Sequence, residues 1–164
     1  MRMGAVFSKN RKYRYTLFRI WEVESSGKVN DTKYVVFIGL NPSTADETVN
    51  DPTITRCINY VKAWGYGGMY MLNLFAWRAT DPKEMKKQGD PRGAENNHWI
   101  LHICTRASMI VAAWGTHGTF LNRHREVLNL LDLHNVWCLG VTKDGIPKHP
   151  LYLKADLKPV MYKA

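Results

Sequence analysis

A chain of 164 residues, 45% of them apolar, has room for one domain with a core of its own and none for a second, so residues 1–164 are read as a single α/β domain. Its 23 Lys and Arg against 14 Asp and Glu leave a net charge of +9, which favours DNA or a nucleotide as partner over a membrane; no obligate protein partner is inferred. No apolar run approaches the roughly 18 residues of a membrane span, and Cys57, Cys104 and Cys138 are too few and too far apart for a disulfide framework, a zinc site or an iron–sulfur cluster, so no cofactor is expected.

The first fifteen residues have a basic start without an apolar core, so they are not read as a secretion signal, and three reduced thiols suit a cytoplasmic protein. Residues 4–24 read as an antiparallel hairpin turning at Ser8-Lys9-Asn10-Arg11-Lys12. Its second arm alternates aromatic or aliphatic residues with Arg and Thr, as an edge strand with one solvated face does. Ser25 to Lys33 follows as a polar loop. Val35, Val36, Phe37 and Ile38 then form a strand covered on both faces. It stops at Gly39 and gives way to the polar loop Asn41-Pro42-Ser43-Thr44-Ala45-Asp46. Asp51 caps a helix with Pro52 in its first position, and Ile54, Cys57, Ile58, Val61 and Trp64 recur at helical spacing.

Met69 to Leu74 is a second buried strand, interrupted by Asn73, and a loop from Phe75 to Pro82 follows. The charged segment 82–92 holds a short helix, and 94–106 an amphipathic one. A third strand, Met109 to Trp114, runs into Gly115-Thr116-His117-Gly118. A helix from about residue 119 to 131 and a fourth strand, Val136 to Leu139, precede a loop from Gly140 to Pro150 and a short tail. Strand and helix alternate four times behind the hairpin. Right-handed crossovers then give a four-stranded, mostly parallel sheet between helices, a three-layer α/β/α sandwich, with all four strand ends on one edge. That edge is where a ligand of an open α/β sheet belongs.

Asn73 is the sharpest single clue, because an amide inside an apolar strand is costly unless its donor and acceptor are both paired. It either ties two loops together or reads the edge of a nucleobase, whose donor and acceptor it complements. Phe75, two residues on, offers a stacking face or a core aromatic. Asn41 is an amide: it can position a water but cannot serve as a strong base. Ser43 and Thr44 supply hydroxyls and Asp46 a carboxylate, without the order of a serine-nucleophile triad or the glycine spacing of a phosphate loop. His149, held between Lys148 and Pro150, suits a rigidly presented imidazole donating to a developing negative charge. Lys143 and Lys148 are candidate phosphate contacts, and His117 and Arg78 are further candidates at the strand ends. His98 and His102 lie four apart on one helix, read as its surface and not as metal ligands.

The segments GLNPSTAD, NDPT, LNLFAWRATDP, AAWGTHG and TKDGIPKHPLYL, in that order, closely resemble the bacterial and phage family called domain of unknown function 1643 over nearly the whole chain. More distantly, the layout is similar to the uracil-DNA glycosylase superfamily, whose members place a G-x-x-P loop after the first strand, an Asn at the end of the second and a His-Pro or Asn-Pro segment after the fourth. Gly39-Leu40-Asn41-Pro42 is similar to its G-I-N-P form. The resemblance implies that Asn41 holds the attacking water, Asn73 binds a flipped base and His149 stabilises the departing base anion. Gly39, Leu40, Pro42, Ser43, Asp46, Phe75, Arg78 and His117 would complete the substrate site, with Thr44, Lys143 and Lys148 on the nucleic acid. Three departures stand out: Ser43 replaces the Tyr that excludes a 5-methyl group, Leu151 replaces the Ser after His-Pro, and the four cluster cysteines of some branches are missing.

The activity this implies is hydrolysis of the N-glycosidic bond of a damaged or modified base in DNA, the base being flipped from the stack. A non-catalytic module binding a base or nucleic acid through the same pocket is the second expectation. A hydrolase or transferase of modified nucleotides is the third.

Overall fold

The computed structural model describes residues 1–22 and 33–162, so the polar loop expected from Ser25 lies, apart from Lys33, outside the described residues. The strands are β1 (Arg2–Phe7), β2 (Arg14–Ile20), β3 (Tyr34–Gly39), β4 (Gly68–Asn73), β5 (Met109–Ala112), β6 (Val136–Cys138) and β7 (Val160–Met161). The helices are α1 (Pro52–Ala63), α2 (Pro82–Lys86), α3 (Asn96–Cys104) and α4 (Arg123–Leu130). Among the described residues, all strands join one mixed sheet in the order β1-β2-β4-β3-β5-β6-β7. The β4-β3-β5-β6 run is parallel, and β1, β2 and β7 are antiparallel to their neighbours.

Alternation along β3 decides where the helices lie, since successive side chains of a strand point to opposite faces. Val35 and Phe37 pack with Ile54, Cys57, Ile58 and Val61 of α1. Val36 and Ile38 pack on the other face with Ile100, Ile103 and Cys104 of α3 and Val127 of α4. Asp51 caps α1 by accepting from the backbone N–H of Ile54 at 2.9 Å, with Pro52 in the first turn. The helix ends in a pair of reversed bonds, Tyr66 N–H to Val61 O and Gly65 N–H to Lys62 O, which require the left-handed φ of 86° at Gly65.

Three expectations change. The sheet has seven strands, because the hairpin is hydrogen-bonded onto β4 and the tail returns along β6. The second arm of the hairpin, β2, is therefore not an edge: it lies between β1 and β4, and Arg14 and Arg19 are buried instead of solvated. The helix expected from residue 119 starts at Arg123. A 3₁₀ turn over Thr116–Asn122 precedes it, with Leu121 and Asn122 at φ of 53° and 56° breaking the helical path.

The tail covers α1: the Tyr60 hydroxyl donates to Lys154 O at 2.5 Å and the Trp64 indole N–H to Leu157 O at 3.0 Å. All three cysteines are buried and unpaired. Among the described residues no helix is long and apolar enough to cross a membrane, and no cluster of three or more His, Cys, Asp and Glu could hold a metal.

Candidate functional site

The parallel strands end in register. Gly39 lies opposite Asn73, and Ala112 opposite both Ile38 and Cys138, so their C-terminal ends form one edge. The chain passes from β3 to β4 on one side and to β5 on the other, which opens a crevice at the end of β3. A recess of about 50 Å³ lies there, lined by Gly39 to Ser43, Asn73, Asp51, Thr53, His149 and Arg14, among others. It adjoins a groove of about 490 Å³ that shares Leu40, Asn41, Ser43, Asp51, Thr53 and His149 and adds Thr44, Trp114, Gly115 and His117. A water needs about 10–15 Å³ of such space, so the recess admits the edge of a ring and the groove takes the remainder.

The two buried arginines of β2 shape the loop that forms one wall. Arg19 donates through Nε to Asn50 Oδ1 at 2.8 Å and through Nη2 to Asp46 O at 2.6 Å and Val49 O at 3.2 Å. Arg14 donates through Nη1 to Ala45 O at 3.0 Å. Asp46 does not line recess or groove. Its carboxylate accepts from the backbone N–H groups of Thr48 and Val49, and these two bonds hold its pKa below the ordinary value. Its bonds shape the loop.

Asn41 sits where the wall meets the loop after β4. Its Nδ2 donates to Ala79 O at 2.8 Å, with Pro42 O at 3.2 Å and Trp77 O at 3.4 Å. Three carbonyls around one end of the amide identify that end as the NH₂ group, which leaves Oδ1 as the acceptor for a ligand or water. Pro42 O takes the Ala79 N–H at 2.9 Å, and Ser43 Oγ lies 3.1 Å from Thr80 Oγ1, so the two loops are laced together.

Asn73 ends β4 with 3% of its surface exposed, and its Nδ2 has no hydrogen-bond partner among the described residues. The close approach needs Gly39: a Cβ there would stand 2.9 Å from Asn73 Oδ1. The backbone carbonyl of Asn73, by contrast, is tied, accepting from Asn96 Nδ2 at 2.9 Å.

His149 comes from the loop after β6, which doubles back through Val141 and Pro147 and docks by the Gly115 N–H to Pro147 O bond at 3.0 Å. Its Nδ1 accepts from the Leu151 N–H at 3.2 Å. That bond fixes the tautomer, so the neutral ring carries its proton on Nε2. Burial lowers the imidazole pKa, and the charge of Asp51 offsets this in part. His149 is therefore a neutral donor at neutral pH.

Other candidates lie elsewhere. Phe75 is buried in the core against Phe120, with ring centroids 5.7 Å apart, and faces neither recess nor groove. Lys143 and Lys148 are exposed on the loop that carries His149 and line neither recess nor groove. His117 lines the groove, its Nδ1 2.9 Å from Lys86 Nζ. Arg78 lines a shallower groove with Arg11, Lys12 and Thr44, where its Nη1 donates to Arg11 O at 3.1 Å. That basic wall shares Ser43, Thr44, Ala79 and Thr80 with the main groove. Sequence reasoning passed over Arg14, Asp51 and Thr53 as site residues. Arg14 reads as a solvated strand position and Asp51 as a helix cap, and only the fold turns both toward the recess.

The family model described as a protein of unknown function, DUF1643, matches residues 14–151. The chain belongs to the DUF1643 family. The match begins at Arg14 and ends at Leu151, so it takes in every residue that lines the DUF1643 recess. No curated protein and no solved structure matches the chain.

Proposed function

We propose that the recess binds a nucleobase flipped out of DNA and that the protein hydrolyses its N-glycosidic bond, on a fold of the uracil-DNA glycosylase type with three α/β/α layers. The observation that carries the reading is the convergence of Asn41, Asn73 and His149, 108 residues apart at the extremes (149 less 41), on one recess at the strand ends. Asn73 supplies a buried amide with an unpaired donor, which a base edge satisfies. His149 supplies a neutral Nε2–H donor to the base as it leaves. The C1′–N bond breaks with its electron pair passing to the base, a water oxygen bonds C1′, and the proton that water loses ends on the departed base anion. Asn41 Oδ1 orients that water, its NH₂ group being held by backbone carbonyls. Lys12 and Arg78 on the wall beside the groove, where Arg11 is paired with Glu47, support DNA as the polymer held there, and three free thiols suit a cytoplasmic setting.

Incubating the protein with oligonucleotides that carry a panel of modified bases, then cleaving with alkali, reads abasic sites directly. Asn41→Ala and His149→Ala are expected to abolish base release while the fold is kept. A second reading, a module that binds the base without cleaving it, draws on Asn41 being an amide, which cannot deprotonate water. Salt-sensitive binding without abasic product selects that reading.

A further inference from the structure

The shallower groove beside the basic wall has a volume of about 450 Å³, within the range of small-molecule sites, and no acidic residue lines it among the described residues. Arg78 is held in place there. Its backbone N–H donates to Lys12 O at 2.9 Å and its Nη1 to Arg11 O at 3.1 Å, and its guanidinium lies 4.8 Å from the centre of the Phe7 ring. Neither Arg78 nor Lys12 forms an ion pair among the described residues, and the nearby Glu47 is taken by Arg11 through both oxygens, at 2.6 and 3.0 Å. Trp77, half-buried, lines the groove beside them. Tyr13 packs on it edge to face at 5.3 Å, the two backbones form a β-bridge, and Lys12 Nζ lies 5.9 Å from the indole centre. Ser43 and Thr80, 3.1 Å apart through their hydroxyls, line both this groove and the one that leads to the recess, so the two are continuous.

We propose that this second groove seats the nucleotide next to the flipped one, with its base on the Trp77 indole and its phosphate between Lys12 and Arg78, and that the substrate strand is therefore single. The proposal rests on the reading of the recess as a base site and names the form of DNA that reaches it. Two cations without counter-charges beside a flat indole match the two parts of a nucleotide: the charges take the phosphate, and the π-face takes any base. A duplex cannot use this arrangement, because the neighbouring base stays paired and stacked inside the helix with its face turned away. An unpaired strand can lay that base on the indole. Trp77 is also tied by its backbone N–H to Pro91 O at 3.1 Å, so the platform is formed before the strand arrives and little ordering is left for binding.

Fluorescence anisotropy at one fixed salt concentration tests this with three labelled probes of about twelve nucleotides: a single strand, the same strand annealed to its complement, and a strand whose bases are replaced by tetrahydrofuran abasic residues. One base stacked on an aromatic is worth roughly 5- to 150-fold in affinity, so the single strand is expected to bind at least about fivefold tighter than either other probe, although the duplex carries twice the phosphates. Trp77→Ala is expected to bring the single strand down to the affinity of the abasic probe, and Trp77→Phe to restore most of the difference. If Trp77→Ala does not fold, the wild-type series and Trp77→Phe decide. Duplex or abasic probe binding as tightly as the single strand overturns the proposal. Calorimetry of the wild type with free uracil, thymine, cytosine and adenine tests the underlying reading separately. Binding of any of them keeps the recess as a base site even where the strand preference fails. Binding of none refutes that reading and the assignment of the neighbouring nucleotide with it.

Discussion

Two buried asparagines stand a few ångströms apart in this fold and should respond to alanine in opposite ways. Asn96 is fully buried, and its Nδ2 donates to Asn73 O at 2.9 Å and Leu74 O at 3.0 Å, fastening α3 to the end of β4. Removing it strips a donor from two buried carbonyls, a loss of about 2 kcal/mol of folding stability. Asn73 is as deeply buried, yet its Nδ2 bonds to nothing among the described residues, so Asn73→Ala breaks no hydrogen bond at that atom. Its stability should stay within about 1 kcal/mol of wild type, because deleting an unsatisfied donor offsets the lost packing. Ligand binding should move the other way. An amide fork on a complementary base edge is worth about 1–3 kcal/mol, so Asn73→Ala weakens binding roughly 5- to 150-fold. Urea unfolding followed by tryptophan fluorescence gives the first quantity, and calorimetry with the free nucleobase the wild type binds best gives the second. The reasoning is refuted if Asn73→Ala loses as much stability as Asn96→Ala and binds the nucleobase like wild type, for then the amide is a structural tie.

Other expectations concern the wall, the rim and acid. Arg19→Met removes every bond that guanidinium makes to Asn50, Asp46 and Val49, and should cost roughly 3 kcal/mol in urea unfolding. A loss under half of that would show that the loop holds its shape without Arg19. Lys12→Ala with Arg78→Ala, both on the basic wall, should lower the slope of log affinity for single-stranded DNA against log salt by roughly 1–2 without changing the affinity for a free nucleobase. An unchanged slope would move the DNA path elsewhere. Burial holds the imidazoles of His149 and His124 below their ordinary 6.5. The unfolded chain therefore takes up protons first on acidification. Stability should be complete above pH 6.5 and fall as pH drops through the lower folded values, with a smaller fall in His149→Asn. Stability rising on acidification over that window would reverse the assignment.

The strand–helix rhythm of the chain is legible because its signals are local. A β-branched run at Val35 to Ile38, Asp51-Pro52 at a helix start and Gly65 at its end each carry their own physical cause. Asn73 is legible for the same reason: a polar side chain in an apolar run is visible without knowing what it touches. Phe75 is not, since an aromatic beside a site and an aromatic in the core look alike until the opposite face is known, and here Phe120 occupies it. The late start of α4 had one local sign, Gly118, where a Cβ would stand 2.2 Å from the Trp114 ring, so that turn takes a path fitted to the indole. That sign can be read only once Trp114 is placed.

The arginines of β2 show where local reading ends. Alternating Arg with Tyr, Leu and Ile describes an edge strand equally well as an inner strand whose second face is covered by a loop, and the two differ only in what lies beyond residue 40. Here β2 pairs with β4, the loop after β3 folds back over it, and Arg14 and Arg19 meet backbone carbonyls of that loop where water was expected. Two consequences follow from one placement. The carbonyls of Ala45 and Asp46 are held by these cations, and that of Val49 by Arg19 together with the Asp46 N–H, so the wall of the recess depends on side chains 27 to 31 residues upstream for part of its shape. One of those cations is only partly satisfied and lines the recess. A residue that shapes a wall needs no exposure to the ligand; Arg19 meets that description and Arg14 exceeds it. The two guanidiniums on one strand therefore differ in how fully they are bonded: Arg19 is surrounded by loop oxygens, and Arg14 keeps an unpaired Nε at the recess.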